Sequence, residues 1–129
     1  MKKALLILAI FILAAIYFGC NSDSEATAPD EKSYDVEYKV ISTGNVSMIN
    51  YLTQNGDTLT ATNASANWSY KWPSKGKSGD YTYLKITLQN TATLAVVQIL
   101  ANNSILTADS LQGSAIGTTS VAIGMSLPY

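Results

Sequence analysis

The chain has 129 residues, with eight lysines and no arginine against nine carboxylates, no histidine, and one cysteine, for a formal charge of −1. That composition excludes several classes. Without arginine or a basic cluster there is nothing to neutralise a row of phosphates or read base edges, so nucleic acid is not an expected partner. Without histidine the usual base for a serine or cysteine nucleophile is missing. A single cysteine also rules out an intrachain disulfide framework.

Met1, Lys2 and Lys3 are followed by an uncharged apolar run from Ala4 through Phe18. A basic start ahead of an apolar helix-forming run is the order of an export signal. At ~1.5 Å per residue the run falls somewhat short of the ~30 Å hydrocarbon core, which favours a signal helix over a permanent span. The run ends at Gly19-Cys20, which resembles the lipobox of bacterial lipoproteins: a small residue precedes a cysteine whose sulfur is alkylated with diacylglycerol. Tyr17 and Phe18 depart from the usual residues of that motif. Lipidation of Cys20 with cleavage after Gly19 is the reading favoured here, and an uncleaved helical anchor with an unmodified Cys20 is the alternative. Each buried CH₂ adds roughly 0.8 kcal/mol, and stable anchoring takes more than one chain, which diacylglyceryl plus an N-acyl group would supply.

The expected division is therefore a signal peptide over 1–19, the lipidated cysteine with a polar tether over 20–33, and a folded domain over 34–129. Asn21 to Ser33 carries no large apolar side chain and cannot bury enough surface to fold. Fully extended, such a tether reaches up to roughly 40 Å from a bilayer. Once Met1 to Gly19 are removed, six lysines face nine carboxylates, a net charge of −3. The expected location is the cell envelope, with the chain lipid-anchored to the outer membrane and the domain outside the cytoplasm.

The domain alternates in strand fashion almost throughout. In "YDVEYKVIS", Tyr34, Val36, Tyr38 and Val40 share one face, while Asp35, Glu37 and Lys39 share the other, which reads as a solvated face. "TGN" at 43–45 supplies a turn, and "VSMINYLT" sets Ser47, Ile49, Tyr51 and Thr53 against Val46, Met48, Asn50 and Leu52. Asn55-Gly56 is the strongest short hairpin signal, since both residues tolerate positive φ. Strand-like "TLTATNA" follows. "NWSYKW" places Trp68, Tyr70 and Trp72 on one face until Pro73 stops it. After a polar loop, "YTYLKITLQN" sets Leu84, Ile86 and Leu88 against Tyr83, Lys85 and Thr87. "TLAVVQILA" is apolar enough for burial on both faces. Asn102-Asn103 predicts another turn, "SILTADS" a strand, and "TSVAIGMSL" the last one. These elements predict an all-β fold, an antiparallel β-sandwich of about seven or eight strands, immunoglobulin-like in architecture, after the N-terminal signal helix. An open barrel is the alternative.

Chemical signals are sparse. Asp57, Asp80 and Asp109 fall singly at predicted turns, where aspartate bonds its own backbone, so no metal and no cofactor are expected. The domain reads as non-enzymatic. Both phenylalanines lie in the signal, so every aromatic of the domain has a polar handle suited to a surface that is half wet. Trp68, Tyr70 and Trp72 form a candidate strip for glycan, lipid or protein, with Tyr81 and Tyr83 nearby; the competing reading is that Trp68 and Trp72 pack the core. Asp57-Thr58-Leu59 and Asp109-Ser110-Leu111 match a short bacterial O-glycosylation pattern, which makes Thr58 and Ser110 candidate acceptors at predicted turns.

With these strands in order, the domain resembles the MmpS family of membrane-anchored transport accessory proteins. The likeness runs from Tyr34 to about Met125. It rests on Tyr34-x-Val36-x-Tyr38-x-Val40, Ile49-x-Tyr51 before Asn55-Gly56, Trp72, Leu88-Gln89-Asn90, and Val96 to Ile99 ahead of an asparagine-rich turn. The resemblance implies a small extracytoplasmic β-sandwich that works alongside a lipid or siderophore exporter. The chain departs from the family in its lipoprotein-type signal and in lacking the cysteine pair of mycobacterial members. The expectations are a tethered accessory module that meets an envelope protein, with a glycan- or lipid-binding lipoprotein, an MmpS-type transport accessory with an uncleaved anchor, and an enzyme using scattered carboxylates as the alternatives; the last requires two carboxylates within reach of one cleft.

Overall fold

The computed structural model describes residues 30–89, 93–114 and 116–129. The signal, Cys20 and most of the tether lie outside the described residues. Ten strands follow in chain order: β1 (Ser33–Tyr34), β2 (Val36–Ser42), β3 (Val46–Leu52), β4 (Thr58–Ala64), β5 (Trp68–Lys71), β6 (Gly76–Lys77), β7 (Tyr81–Gln89), β8 (Leu94–Ala101), β9 (Ser104–Gln112) and β10 (Thr118–Ser126). Eight of them build two four-stranded antiparallel sheets, in the orders β5-β2-β8-β9 and β10-β7-β3-β4, while β1 and β6 form a separate short pair. The two sheets pack into the expected sandwich.

The alternating pattern explains which face of each strand is covered. Val36, Tyr38 and Val40 of β2, and Ala95, Val97, Ile99 and Ala101 of β8, point inward from one sheet; Leu84, Ile86 and Leu88 of β7, and Ile123 of β10, meet them from the other. Each buried valine, leucine or isoleucine among them stabilises the fold by about 1.5–3 kcal/mol relative to exposure. Thr82 is a polar member of this interior, and its hydroxyl donates to the Met125 carbonyl at 2.7 Å.

Two parts of the sequence pattern give way. In β3 the buried residues are Val46 and Ile49, three apart, so the simple alternation starting at Ser47 does not hold. The break sits beside Asn63 of the paired strand β4, whose φ of 50° takes it out of extended geometry. In β8 only one face is fully covered: Leu100 is buried on the other side, but Leu94 stays 49% exposed. Among the described residues no helix or further sheet covers that outer face to bury it.

Chain direction separates two ends. At the proximal end, β1 pairs with β6, the Lys32 amide donates to Ser78 Oγ, Tyr34 Oη donates to the Pro128 carbonyl, and Asp35 and Asn102 exchange hydrogen bonds. Lys32 and Ser33 are thus tied into the domain ahead of the expected boundary at Tyr34. The distal end carries the connections after β2, β4, β7 and β9, with Thr43 bonded to Leu94 and Gly113 to Thr93. β9 and β10 also lie against each other across the two sheets, so the sandwich is closed along that side. Along the opposite side, aromatic rings fill the space between β3 and β5.

Candidate functional site

The candidate strip on β5 is mostly structural. Trp72 is buried and its Nε1 donates to the Leu52 carbonyl at 3.3 Å, which fastens the end of β5 to the other sheet. Tyr70 stacks on Tyr38 with centroids 6.3 Å apart, and Tyr51 of β3 meets Tyr70 at 4.6 Å and Trp68 at 5.0 Å. Contacts of this kind are worth ~0.5–1.5 kcal/mol beyond area burial. Trp68 and Tyr70 are half-buried, so the core-packing reading accounts for Trp72 fully and for the other two in part. Tyr81 and Tyr83 are not near this strip: they stand on the outward face of β7 in the other sheet, with the Tyr81 hydroxyl over Gly124.

Tyr38 is fully buried, and among the described residues its hydroxyl makes no well-formed hydrogen bond, although the Trp72 side chain and the Tyr83 backbone lie beside it. Burial pushes the Tyr38 hydroxyl up to about 12; the neighbouring Trp72 side chain and Tyr83 backbone lower it only in part. Burial, with the Tyr70 charge as a lesser cause, also raises Tyr51.

Two concavities accompany the strip. A cavity of about 270 Å³ at the proximal end is lined by Asp35, Val36, Glu37, Lys71, Trp72 and Asn103. It brings two carboxylates to one cleft. Both are engaged with lysines: Asp35 with Lys75 at 3.6 Å, and Glu37 with Lys39 at 3.4 Å and Lys71 at 3.9 Å. Glu37 is tucked in at only 9% exposure, so the face read as solvated is partly covered. Among the described residues no three carboxylate or cysteine side chains converge as a metal site.

The second cavity, about 160 Å³, is lined by Lys39, Val40, Ile41, Asn67, Trp68 and Ser69. It adjoins an apolar patch on the outward face of β2 and β8, near the distal end. Ile41 is opposite Val96 in register, Leu94 is two residues farther along the same face, and Ile41 and Leu94 are 47% and 49% exposed. Sequence reasoning did not single these residues out, although a signal was present. Ile41 follows Val40 and falls on the face of Glu37 and Lys39, where the alternation calls for a polar residue. Leu94 was hidden in a run apolar on both faces.

The remaining candidates are dispersed. Thr58 is the first residue of β4, beside the β3–β4 hairpin and not in its turn, and is exposed. Ser110 is exposed too, but it lies inside β9 and not at a turn, and its amide is bonded to Asp109 Oδ1. Asp80 does what turn aspartates do, accepting from the Lys77 amide at 2.8 Å. Cys20 lies outside the described residues. No protein-family model matches the chain, and no curated protein matches it.

Proposed function

We propose that this chain is a lipid-anchored, non-enzymatic binding module of the bacterial cell envelope, held by Cys20 and presenting its sandwich to another envelope protein. The observation that carries the reading is the Ile41, Val96 and Leu94 patch, which lies toward the end opposite the one where the chain joins the domain. Ile41 and Leu94 are exposed with half-buried Val96 between them, and Ile105 is exposed farther along the same outer face, so apolar surface gathered there is the kind that marks an interaction site. The lysine pairing of Asp35 and Glu37 supports a non-catalytic role for the proximal cavity. The MmpS resemblance makes an exporter the first partner class to test, both for the lipidated form and for a form that keeps its helical anchor.

The test is photo-crosslinking in living cells from position 41, with position 118 on the far sheet as control. One envelope protein captured from position 41 and not from 118 supports the reading, and equal or absent capture from both contradicts it.

A second reading, capture of a glycan or lipid, is favoured by one observation: half-buried Trp68 lines the smaller cavity together with Asn67 and Ser69. Titration of envelope glycans or lipids with tryptophan fluorescence tests it, and a flat response counts against it.

A further inference from the structure

The two four-stranded sheets have four edge strands among the described residues, β4 and β10 in one and β5 and β9 in the other. Edge strands present unpaired N–H and C=O groups, and proteins blunt them by shortness, charge, proline or cover. Three of these four are blunted. β9 and β10 cover each other. β5 has only four residues, includes Lys71 and runs into Pro73.

Among the described residues β4 has none of these protections, its one irregularity being the left-handed Asn63 near its end. Its seven residues, Thr58–Ala64, contain no charge and no proline, and five of them are exposed. Leu59 is the telling residue. It pairs with Tyr51 and therefore stands on the core-facing side of the sheet, yet at this sheet edge it is 45% exposed.

We propose that β4 is a homodimer edge, pairing antiparallel with β4 of a second copy about a two-fold axis at Thr60. The argument for a second copy is the symmetry of the strand itself. About Thr60, the outward face reads Thr58, Thr60, Thr62, so threonine meets threonine at every outward position, a favourable cross-strand pair. On the inward side, Leu59 of each copy meets Ala61 of the other and is covered. Asp57 meets Asn63, so no carboxylate opposes its own copy. The five residues that pair lie clear of the irregular Asn63. The two sheets then continue as one of eight strands. With the axis perpendicular to that sheet, both copies turn their outer faces the same way, leaving the Ile41 and Leu94 patches open side by side.

The test uses the full chain extracted from membranes in detergent, with its mass followed over a concentration series. The parent is expected to dimerise. Thr60→Lys and Thr60→Glu, which place like charges on the axis, are each expected to weaken the dimer roughly tenfold or more, and an equimolar mixture of the two is expected to dimerise again. Ser69→Lys on β5 should behave as the parent. Circular dichroism of each variant confirms that it folds. A parent that stays monomeric throughout, or Lys and Glu variants that dimerise like the parent, overturns the proposal. Monomeric parent that instead carries a different protein on β4 overturns it too, and assigns the edge to a foreign strand.

Discussion

The rings of Tyr38 and Tyr70 lie 18° from parallel with centroids 6.3 Å apart, and they join the middle of β2 to the edge strand β5. Tyr38 is the hub of the aromatic side of the sandwich, meeting Tyr51 and Trp72 edge-on as well. Its ring is needed there, but among the described residues its buried hydroxyl makes no well-formed hydrogen bond, only weak contacts with Trp72 and the Tyr83 backbone. Tyr38→Phe should therefore leave stability unchanged or raise it by up to about 1 kcal/mol, whereas Tyr38→Ala should cost about 3–5 kcal/mol. Urea unfolding of the two variants checks both signs.

The same tyrosine sets an alkaline limit. In the unfolded chain it ionises near the ordinary value of about 10, while in the fold it holds its proton to about 12. The folded state binds more protons between those values, so stability is full below the lower value and falls across the window. Tyr38→Phe should flatten that fall without abolishing it, because Tyr51 is raised as well. Unfolding midpoints at pH 9, 10, 11 and 12 would show the difference.

Gly76 of β6 closes the proximal end under the core. A Cβ there would sit 2.7 Å from Leu127 Cδ1 and 2.8 Å from Trp72 Cζ3, and both residues are buried. Gly76→Ala should destabilise by about 1–3 kcal/mol through overpacking. Gly56, at φ 86° in the β3–β4 turn with nothing near its missing Cβ, should show only the left-handed backbone cost of about 1–2 kcal/mol on the same change, with no clash added. Thermal midpoints of the two alanine variants rank them.

Glu37 is covered on the outer face of β2, and its carboxylate is matched by Lys39 and Lys71. Removing both lysines should cost more than Glu37→Gln, because the double variant leaves a covered charge unpaired. Lys71→Ala alone should change little, since that side chain is 70% exposed. A comparison of chemical unfolding midpoints decides the order, and equal effects from all three would count against it.

Legibility varied with the range of the interaction that decides each feature. Leu84, Ile86 and Leu88 were readable because a one-sided strand writes its burial into a period of two, and they are buried as that period requires. The Asn55-Gly56 and Asn102-Asn103 turns were readable from local φ preference; Gly56, Asn102 and Asn103 do adopt positive φ. What failed depends on a neighbour distant in sequence. The phase of β3 follows the irregular Asn63 opposite it, and the exposure of Leu94 depends on nothing packing over β8. The role of Trp68, Tyr70 and Trp72 was legible only as two alternatives, because spacing shows that three aromatics share a face but not that Tyr38 and Tyr51 fill it. The β1–β6 pair, whose partners are more than forty residues apart, left no local trace.

If the Ile41 and Leu94 patch is where a partner binds, charge on it should abolish binding and leave the fold intact. Ile41→Lys and Leu94→Lys are exposed substitutions, so each should shift stability by no more than about 0.5 kcal/mol. Co-purification from solubilised membranes should lose the partner in both variants. Loss in neither would move the binding surface elsewhere on the domain.

The claim on which the compartment and the partner both depend is anchoring through Cys20, and the intact mass of the membrane-extracted protein tests it most directly. A chain beginning at Cys20 with added diacylglyceryl and acyl mass is the predicted result, and sugar increments in the same spectrum would bear on Thr58 and Ser110. A full-length chain starting at Met1 with no added mass would contradict lipid anchoring.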